Sequence, residues 1–221
     1  MTTFPGSPRL LKAGIVLLEA GSGAIQRIIV LQYNPSRLTR SLEAQSIGEN
    51  SAQRSMAVRL KGPPVETYRL EAEIDAADQL EFPDQNQSVI ENGILPQLAA
   101  LESLLYPKSS VLIRNNTLAS LGTLEIAPLE SPLSVVVWGK NRVLPVRVTE
   151  FSVTEEAFDP KLNPLRATVT LGMRVMSVSD LGFNHRGGQL YLTYHQQLER
   201  LAQLSAGGTL EALGITAGDL T

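Results

Sequence analysis

LRATVTLGMRVMSV (residues 165–178) alternates apolar and polar side chains along almost its whole length. The odd positions from 165 to 175 are all apolar, whereas positions 166, 168, 170 and 174 carry Arg or Thr. Successive side chains of a β-strand point to opposite faces, so this pattern predicts a strand with one face in the core and the other in water. Half-buried strands of this kind are typical of antiparallel sheets.

Two neighbouring segments extend that prediction. RVLPVRVTEFSVTEEAF (142–158) has the composition of a long strand, and DPKLNP (159–164) connects it to the first, so we expect a long hairpin. Pro145 has no N–H group to donate to the ladder, and we expect a bulge there. ETYRLEAEID (66–75) alternates with the same period of two and predicts a further antiparallel strand with one wet face.

The remaining predicted strands are shorter. Gly21 and Gly23 tolerate positive φ, which predicts a hairpin turn between the first two of these strands, and the Asn34-Pro35 dipeptide ends the second. The segments are AGIVLLEA (13–20), IQRIIVLQY (25–33), RLTRSLEAQSI (37–47) and SVVVWG (134–139), with a weaker candidate at TLEIA (123–127).

Apolar residues at helical spacing predict two helices. The first begins with Ser88 as its N-cap and ends near Tyr106, and Pro96 separates or kinks its first turn. The second covers about 189–204. The chain is therefore expected to be an α+β protein that is mainly β, with antiparallel sheets, one or two flanking helices and a long C-terminal hairpin.

The predicted domain organisation is simple. A flexible arm at 1–10 contains three helix- and strand-breaking residues. One folded domain covers 11–204, and within it the polar segment 48–64 is expected to form an extended loop that orders on contact with a partner. Residues 205–221 are expected to form a flexible or short-helical tail.

The composition argues against several functions. The chain has 221 residues, of which 43% are hydrophobic, enough for a sizeable core. Its 19 basic and 22 acidic residues give a net charge of −3, which argues against nucleic acid as a partner because phosphate neutralisation needs a basic surplus. It has no cysteine, so disulfides and Cys-ligated metals are excluded. Without a signal-peptide pattern or a long apolar run, we expect a soluble protein made in the cytoplasm, with no direct membrane insertion.

Motifs for catalysis or metal binding are not evident. His185 and His195 are the only histidines, and their spacing matches no ligand motif. The G-x-S-x-G nucleophile elbow and the phosphate-binding loops are absent. We therefore expect no catalytic residue, no metal and no cofactor.

Two sets of carboxylates leave alternatives open. In the first set, at 75–84, a carboxylate recurs every three residues, and these oxygen atoms could bind a divalent cation. The set lacks the spacing and the glycine of an EF-hand, so the other interpretation is an acidic loop that faces solvent or a partner. Glu155, Glu156 and Asp159 flank the tip of the long hairpin and could act as general acid and base, although no constellation of His, Tyr or Lys residues supports this and structural contact is favoured. The first set comprises Asp75, Asp78, Glu81 and Asp84.

Several motifs resemble one protein family. QYNPSRLTRS (32–41) resembles the FQFNP-x-x-L-x-R-S motif of contractile injection system tube-domain proteins. VVVWG (135–139) and the segment after it resemble that family's W-G turn, its strand ending in T-E-E-x-F-D and its L-N-P loop. The predicted helix ILPQLAALESLLYP (94–107) also fits. The resemblance extends from about residue 11 to 204, and the order of the motifs makes it fairly specific.

The resemblance implies a structural function. Members of the family resemble phage tail-tube proteins, with antiparallel sheets packed as a sandwich or barrel, a flanking helix and six-fold rings. One subgroup is a baseplate adaptor around the hub and spike that often carries a C-terminal LysM domain. Here only 205–221 follow, too few for a LysM module, so cell-wall binding is doubtful while the adaptor function remains.

The implied function is thus that of an inner baseplate adaptor in a phage-tail-like particle, and not that of an enzyme. Its partners would be further copies in a six-fold ring, the hub or spike protein, the tube protein, and baseplate wedge or sheath proteins. The segment 48–64 favours this over the alternative of an inner tube or tube-initiator subunit. A carboxylate-dependent hydrolase is less favoured. Assembly would occur in the bacterial cytoplasm, in a particle that can be released.

Candidate interface residues follow from this function. The Tyr33-Asn34-Pro35 turn is expected to redirect the chain between two strands, after which Arg37 and Arg40 project onto an acidic surface of a neighbouring subunit. The alternative is a simple strand break with solvated arginines. The full expected set is Tyr33, Asn34, Pro35, Arg37, Arg40, Arg54, Arg59, Glu155, Glu156, Asp159, Arg166 and Arg174.

Overall fold

The computed structural model describes residues 10–19, 22–45, 60–120 and 131–220. Within these residues seven strands form one antiparallel sheet in the order β2-β1-β5-β6-β7-β4-β3. This confirms the α+β, mainly β class and the antiparallel connections. The strands are β1 (Gly14–Leu18), β2 (Ile25–Val30), β3 (Leu38–Glu43), β4 (Val65–Asp75), β5 (Leu133–Val137), β6 (Val143–Phe158) and β7 (Pro164–Val175).

The predicted long hairpin is present as β6–β7, and it lies in the middle of the sheet. Its pairing extends from Phe158 opposite Pro164 to Val146 opposite Val175. The bulge predicted at Pro145 is wrong, because the register shift falls between Val148 and Glu150. Proline loses only its N–H group, and the Pro145 carbonyl still accepts a hydrogen bond of 2.9 Å from the Met176 N–H.

β4 and β7 supply the main core face. The buried positions of β4 alternate with exposed ones along the whole strand, and Tyr68, Leu70, Ala72 and Ile74 are all buried. In β7 the odd positions from 167 to 175 are buried as well. Because β4 pairs with β7 in register, these two rows make one continuous apolar surface.

The sheet is strongly curved. Leu38 of β3 and Val136 of β5 line the same hollow, although β4, β7 and β6 lie between their strands in the sheet. The Gln32 side chain, just after β2, exchanges two hydrogen bonds with the backbone of Asp75 at the end of β4, at 2.7 and 3.0 Å. The sheet therefore curls until the ends of β2 and β4 meet, and its concave face encloses the core.

Helices cover the core. Leu98 and Leu101 of one helix, and Tyr191 and Tyr194 of another, belong to the same buried cluster as the sheet residues. After residue 204 the described tail contains two short 3₁₀ turns, 211–213 and 217–220. The helices are α1 (Ala77–Leu80), α2 (Gln87–Asn92), α3 (Leu95–Glu102), α4 (Ser109–Ser120), α5 (Val178–Leu181) and α6 (Arg186–Gln203).

The helix predicted from Ser88 to Tyr106 is divided. Its N-cap is Asn86 rather than Ser88, and the break falls at Gly93, whose φ is 56°. Pro96 lies in the first turn of α3, where a missing N–H group costs no helical hydrogen bond. The separate first turn was thus predicted correctly, but glycine rather than proline causes it.

Several other predictions changed. α4 occupies a segment where no helix was expected, and α1 and a 3₁₀ turn at 83–85 occupy the predicted acidic loop. α6 begins at Arg186, three residues before the predicted boundary. The strand candidate at 123–127 and most of the arm and of the 48–64 loop lie outside the described residues.

Gly93 provides a test of how the helices join the sheet. A Cβ atom at Gly93 would collide with the Pro164 carbonyl oxygen of the long hairpin, whereas one at Gly139, whose φ of 75° is also positive, would meet nothing within 4 Å. We expect Gly139→Ala to lower the free energy of unfolding by about 1 kcal/mol through backbone strain alone. Gly93→Ala should lower it by about 3 kcal/mol or more.

Thermal unfolding followed by circular dichroism measures both variants, with about 2–4 °C expected per kcal/mol for a chain of this size. Equal melting temperatures for the two variants would show that the contact between Gly93 and Pro164 does not determine stability.

Candidate functional site

Asn34 shapes the corner between β2 and β3. Its Oδ1 accepts a hydrogen bond of 2.9 Å from the Ala13 N–H, and its Nδ2 donates one of 2.7 Å to the Leu11 carbonyl. These bonds continue the β1–β2 ladder beyond the last strand residues. Pro35 is half-buried behind this corner. The Asn34-Pro35 segment therefore redirects the chain, and the side chain of Asn34 is occupied within the subunit.

Tyr33 lies on the outside of the same corner. Its hydroxyl donates a hydrogen bond of 3.0 Å to Asp78 Oδ2 and accepts one of 3.2 Å from Gln32 Nε2. Partial desolvation, together with the bond to Asp78 and its negative charge, raises the pKa of Tyr33. The ring remains 40% exposed, so it can still contact another molecule.

Arg40 forms an ion pair within the subunit. It lies opposite Tyr68 in the β3–β4 ladder, and its Nε donates a hydrogen bond to the buried carboxylate of Glu66. The Arg40 side chain is 30% exposed and that of Glu66 only 4%. Burial alone would lower the pKa of Arg40, but the bond and the charge of Glu66 outweigh it and raise the pKa. Arg40 thus compensates a buried charge within the subunit, and its contact with a neighbouring subunit stays a prediction.

Glu66 is the centre of a buried polar cluster that the sequence analysis missed. The Tyr194 hydroxyl of α6 donates a hydrogen bond of 3.2 Å to Glu66 Oε1, and the hydroxyls of Tyr68 and Tyr194 are 3.4 Å apart. Burial is the main reason why the pKa values of Tyr68, Tyr191 and Tyr194 are all raised. The cluster ties α6 to β4. The sequence does indicate this cluster, because Glu66 lies at an even position like the apolar residues of β4 and therefore on the same face of the strand.

The other predicted arginines divide into three groups: one is exposed without an ion pair, two lie outside the described residues, and two are paired within the subunit. Arg37 is exposed and borders a shallow depression with Arg69 and Glu71, and the structure shows no ion pair for it among the described residues. Arg54 and Arg59 lie outside the described residues. Among the predicted arginines that the structure describes, Arg37 is therefore the one whose charge remains available for a partner.

Arg166 and Arg174 are engaged within the subunit. Arg166 Nε donates a hydrogen bond of 2.8 Å to Asp75 Oδ2, and Arg174 Nη2 donates one of 2.9 Å to Asp180 Oδ1. The Ala77 N–H bond is the main reason why the pKa of Asp75 is lowered; burial opposes it, and the bond to Arg166 and its positive charge add to the lowering. Both arginines remain partly exposed, so they are surface ion pairs that a partner would have to compete with.

The carboxylates near the hairpin tip do not converge on one point. Glu155 and Glu156 are exposed neighbours in β6, so their side chains point to opposite faces of the sheet. Asp159 accepts hydrogen bonds from the Lys161 and Asn163 N–H groups at 2.7 and 2.8 Å and from Asn163 Nδ2 at 2.8 Å. The Asn163 side-chain bond and these backbone bonds lower the pKa of Asp159. Asp159 thus holds the turn together.

Metal ligands are not grouped in the described part of the chain, where no set of three or more His, Asp or Glu residues could hold an ion. His185 is the N-cap of α6, and its Nδ1 accepts a hydrogen bond of 3.0 Å from the Gly187 N–H. His195 stacks on Tyr191 with ring centroids 6.3 Å apart. Both histidines therefore have structural contacts. Among the described helices, none is long and apolar enough to span a bilayer.

Exposed apolar side chains are the second feature that the sequence analysis missed. On β2, Ile25, Ile28 and Val30 are 63%, 60% and 56% exposed. Among the described strands β2 pairs only with β1, so it is an edge of the described sheet. At the hairpin tip, Phe158 and Leu162 are also exposed. The sequence shows that these residues are apolar but not that they are exposed, because an apolar residue in a strand is normally assigned to the core until the strand order is known.

Comparison with known proteins gives little information. No protein-family model matches the sequence, and no curated protein matches it. Among solved structures, the chain is similar to the tail of an empty gene transfer agent (GTA) particle with C6 symmetry. That match has 13% sequence identity and a TM-score of 0.29, and it covers 73% of this chain and 89% of the other. A TM-score this low does not establish a common fold.

A pair of charge reversals separates internal from external arginines. Arg40→Glu places a second carboxylate beside the buried Glu66, and we expect it to lower the free energy of unfolding by about 3–5 kcal/mol. Arg37→Glu, the matched control on an exposed side chain without an ion pair, should change it by less than about 0.5 kcal/mol. Urea unfolding curves measure both. A fully stable Arg40→Glu protein would refute the internal function of Arg40.

The buried tyrosines predict a loss of stability in alkali. A tyrosine whose pKa is raised on folding stays protonated while the unfolded chain ionises, so its contribution is complete below pH 10 and is lost as the pH rises above it. We expect the free energy of unfolding to fall by up to about 1.4 kcal/mol per pH unit for each such tyrosine. Tyr68→Phe should make this fall shallower. An identical slope between pH 10 and 11 for wild type and Tyr68→Phe would contradict the prediction.

Proposed function

We propose that this chain is a structural subunit of a phage-tail-like contractile injection particle, and that it acts by assembly rather than by bond chemistry. The observation that carries the proposal is the exposed apolar edge strand β2. Natural sheets usually protect their edges with charges, prolines or a covering segment, because a free edge pairs readily with another chain. In β2 only Arg27 carries a charge, and no proline interrupts the strand.

The side chains of β2 point where a partner would contact them. Ile28 lies opposite Val16 and Val30 opposite Gly14 in the β1–β2 ladder, on the face away from the core-facing residues of β1. Each leaves more than half of its surface in water. A cluster of such residues on an unpaired edge is typical of a protein-binding surface.

A ring needs two different contact surfaces on every copy. The other edge of the described sheet is β3. β2 carries Arg27, and β3 carries Glu43 together with Arg40, whose charge is already paired with Glu66. The exposed charges left over on the two edges, Arg27 and Glu43, are therefore opposite in sign. We therefore propose that β2 of one copy pairs with β3 of the next and that the sheet continues around the ring.

The resemblance of residues 11–204 to the contractile injection tube-domain family supports the finer proposal. Within the particle, the chain would be an inner baseplate adaptor that links hub or spike and tube to wedge or sheath proteins. The alternative within this class is an inner tube or tube-initiator subunit. Assembly would take place in the bacterial cytoplasm. A hydrolase has less support, because Asp159 is engaged in its turn and Glu155 and Glu156 point apart.

Lysine substitutions on β2 test the edge contact. Ile28→Lys combined with Val30→Lys should leave the monomer folded, because both side chains are largely exposed, but should prevent ring formation by burying two charges in the interface. Leu204→Lys is the matched control, since Leu204 is 81% exposed but lies at the end of α6. Sedimentation velocity and electron microscopy measure the rings. Normal rings from the double variant would refute the contact.

Imaging tests the position in the particle. We expect an epitope tag after residue 204 to mark one end of phage-tail-like particles isolated from the bacterium that encodes the chain. Label along the whole shaft would instead establish the tube alternative. Particles without any label would contradict the proposed function.

A further inference from the structure

α4 has apolar side chains on more than one side. Val111 and Leu118 are seven residues apart and therefore lie on the same side of the helix, where Val111 is half-buried. At about 3.6 residues per turn, Leu112 and Ile113 point away from that side and define the outer side of α4. They are 55% and 66% exposed. A helix that is apolar on several sides is normally buried on several sides, so we expect the outer side to be covered.

The helical state of α4 also needs a partner. None of its 12 residues is buried. Most of them are Ser, Asn, Thr, Val or Ile, which form helices less readily than Ala or Leu. A helix of this length is marginal in water by itself, and helices in proteins are stabilised mainly by packing of an apolar face. A contact that covers the outer side would therefore stabilise α4.

Residues 209–215 of the C-terminal tail form a small turn that is complete in itself. The Ile215 N–H donates a hydrogen bond of 3.1 Å to the Leu210 carbonyl. The Gly214 N–H donates one of 3.0 Å to the Glu211 carbonyl, and the φ of Gly214 is 71°. Two such bonds around a left-handed glycine form a Schellman motif, which ends a helical turn without help from the rest of the protein. We call 209–215 the capped turn.

Leu213 is the side chain that the capped turn displays most. It is 73% exposed, against 38% for Leu210, and Ile215 is half-buried. Because the backbone of the turn is already ordered, little conformational entropy is lost when Leu213 binds. The linker 205–208 has the sequence SAGG, and a Cβ atom at either of its glycines would meet nothing within 4 Å. Its four residues reach up to about 14 Å when extended.

We propose that the capped turn of one copy docks on the outer side of α4 in the neighbouring copy. Leu213 is the apolar anchor, and it packs against Leu112 and Ile113 of that neighbour. The inference rests on the proposed function, in which copies lie side by side in a ring. It adds a second contact between neighbours to the proposed pairing of β2 with β3.

Charge supports this choice of occupant. α4 and the four residues before it carry Lys108 and Arg114 and no acidic residue. Both side chains are exposed, and neither forms an ion pair among the described residues. Residues 205–221 carry Glu211 and Asp219 and no basic residue. The two segments are therefore complementary in charge as well as in apolar character, which favours their pairing.

The contact lies between copies rather than within one. In the subunit α4 has no buried residue, and every described residue from 205 to 220 except Ile215 is exposed, so the tail does not cover α4 of its own copy. A tail that binds the next copy makes a heterologous contact, which repeats from copy to copy and closes with the ring. A single ring satisfies every such contact.

Cysteine cross-linking tests the contact directly, because the chain has no cysteine of its own. Rings are assembled from two single variants, Leu213→Cys and either Leu112→Cys or Ile113→Cys, with a tag on one of them so that mixed dimers differ in mass. Oxidation by dissolved oxygen with a copper catalyst should join the two chains through a disulfide, seen on a non-reducing gel. Leu204→Cys replaces Leu213→Cys in the control and should give no mixed dimer, although Leu204 is 81% exposed.

The variant Leu213→Asn tests the contribution to assembly. The melting temperature of the monomer should not change, because Leu213 is largely exposed. The concentration at which half of the chains are in rings should rise about tenfold, as expected for the loss of one buried leucine contact. Leu204→Asn is the matched control and should leave this concentration unchanged. Sedimentation velocity of the full chain measures both variants.

The outcomes separate this contact from ring assembly itself. Mixed dimers from either pair of variants, together with weaker assembly of Leu213→Asn, support the contact. Rings without mixed dimers, or rings that form equally well from Leu213→Asn, overturn it and leave the proposed function standing. A wild-type chain that forms no ring overturns both.

Three further results would assign α4 or the tail to a different partner. An intrachain disulfide in a monomer that carries both Leu112→Cys and Leu213→Cys would show that the tail folds back on its own copy. A Leu112→Cys monomer that resists a thiol reagent would show that another part of the chain covers α4. Incorporation into particles that depends on Leu213 without any effect on rings of the purified chain would assign the capped turn to a different protein. Each of these results overturns the pairing between copies.

Discussion

A curved antiparallel sheet that does not fully close leaves one strand at each end with unpaired N–H and C=O groups. In the described sheet those strands are β2 and β3, and they are not equivalent. On β3 the exposed side chains are mostly polar, such as Thr39 and Ser41, with one exposed leucine, Leu42. On β2 three apolar residues, Ile25, Ile28 and Val30, are each more than half exposed. The unequal edges impose the main constraint on the proposed assembly, because among the described residues nothing pairs with the outer side of β2.

The buried charge of Glu66 fixes the rest of the subunit around that edge. Its partners come from β3 through Arg40 and from α6 through Tyr194. A one-residue slip of β3 against β4 would turn Arg40 to the outer face and leave Glu66 without a counter-charge. The cluster therefore specifies both the register of β3 and the position of α6. Loss of one partner is costly because the remaining charge stays buried.

Much of the sheet was predictable because one face of each long strand is buried. The period of two in β4 and β7 identified the strands and their inward side chains correctly. α4 was missed because its sequence is rich in Ser, Asn and Thr and none of its residues is buried, so no apolar periodicity marks it. The bulge was assigned to Pro145 because a missing donor was treated as decisive, although the Pro145 carbonyl still takes part in pairing.

The candidate site was less predictable because contacts across strands depend on strand order. Nothing in the local sequence states that Arg166 lies beside Asp75 or that Arg174 lies beside Asp180. The position of Arg40 could have been inferred from the sequence. Arg40 lies two residues after Leu38, and alternate residues of a strand point to the same face, so both lie on the core side of β3. The exposure of Ile28 and Val30 also follows from strand order, because the same sequence in the middle of the sheet would be buried.

Amide hydrogen exchange measured on the purified full chain at low and high concentration tests assembly through β2 most directly. If copies join at this edge, the amides of residues 25–30 should become strongly protected as concentration rises, while those of the β6–β7 hairpin, already paired in the monomer, should not change. Rapid exchange of 25–30 at every concentration, in a chain that remains monomeric, would contradict assembly through this edge.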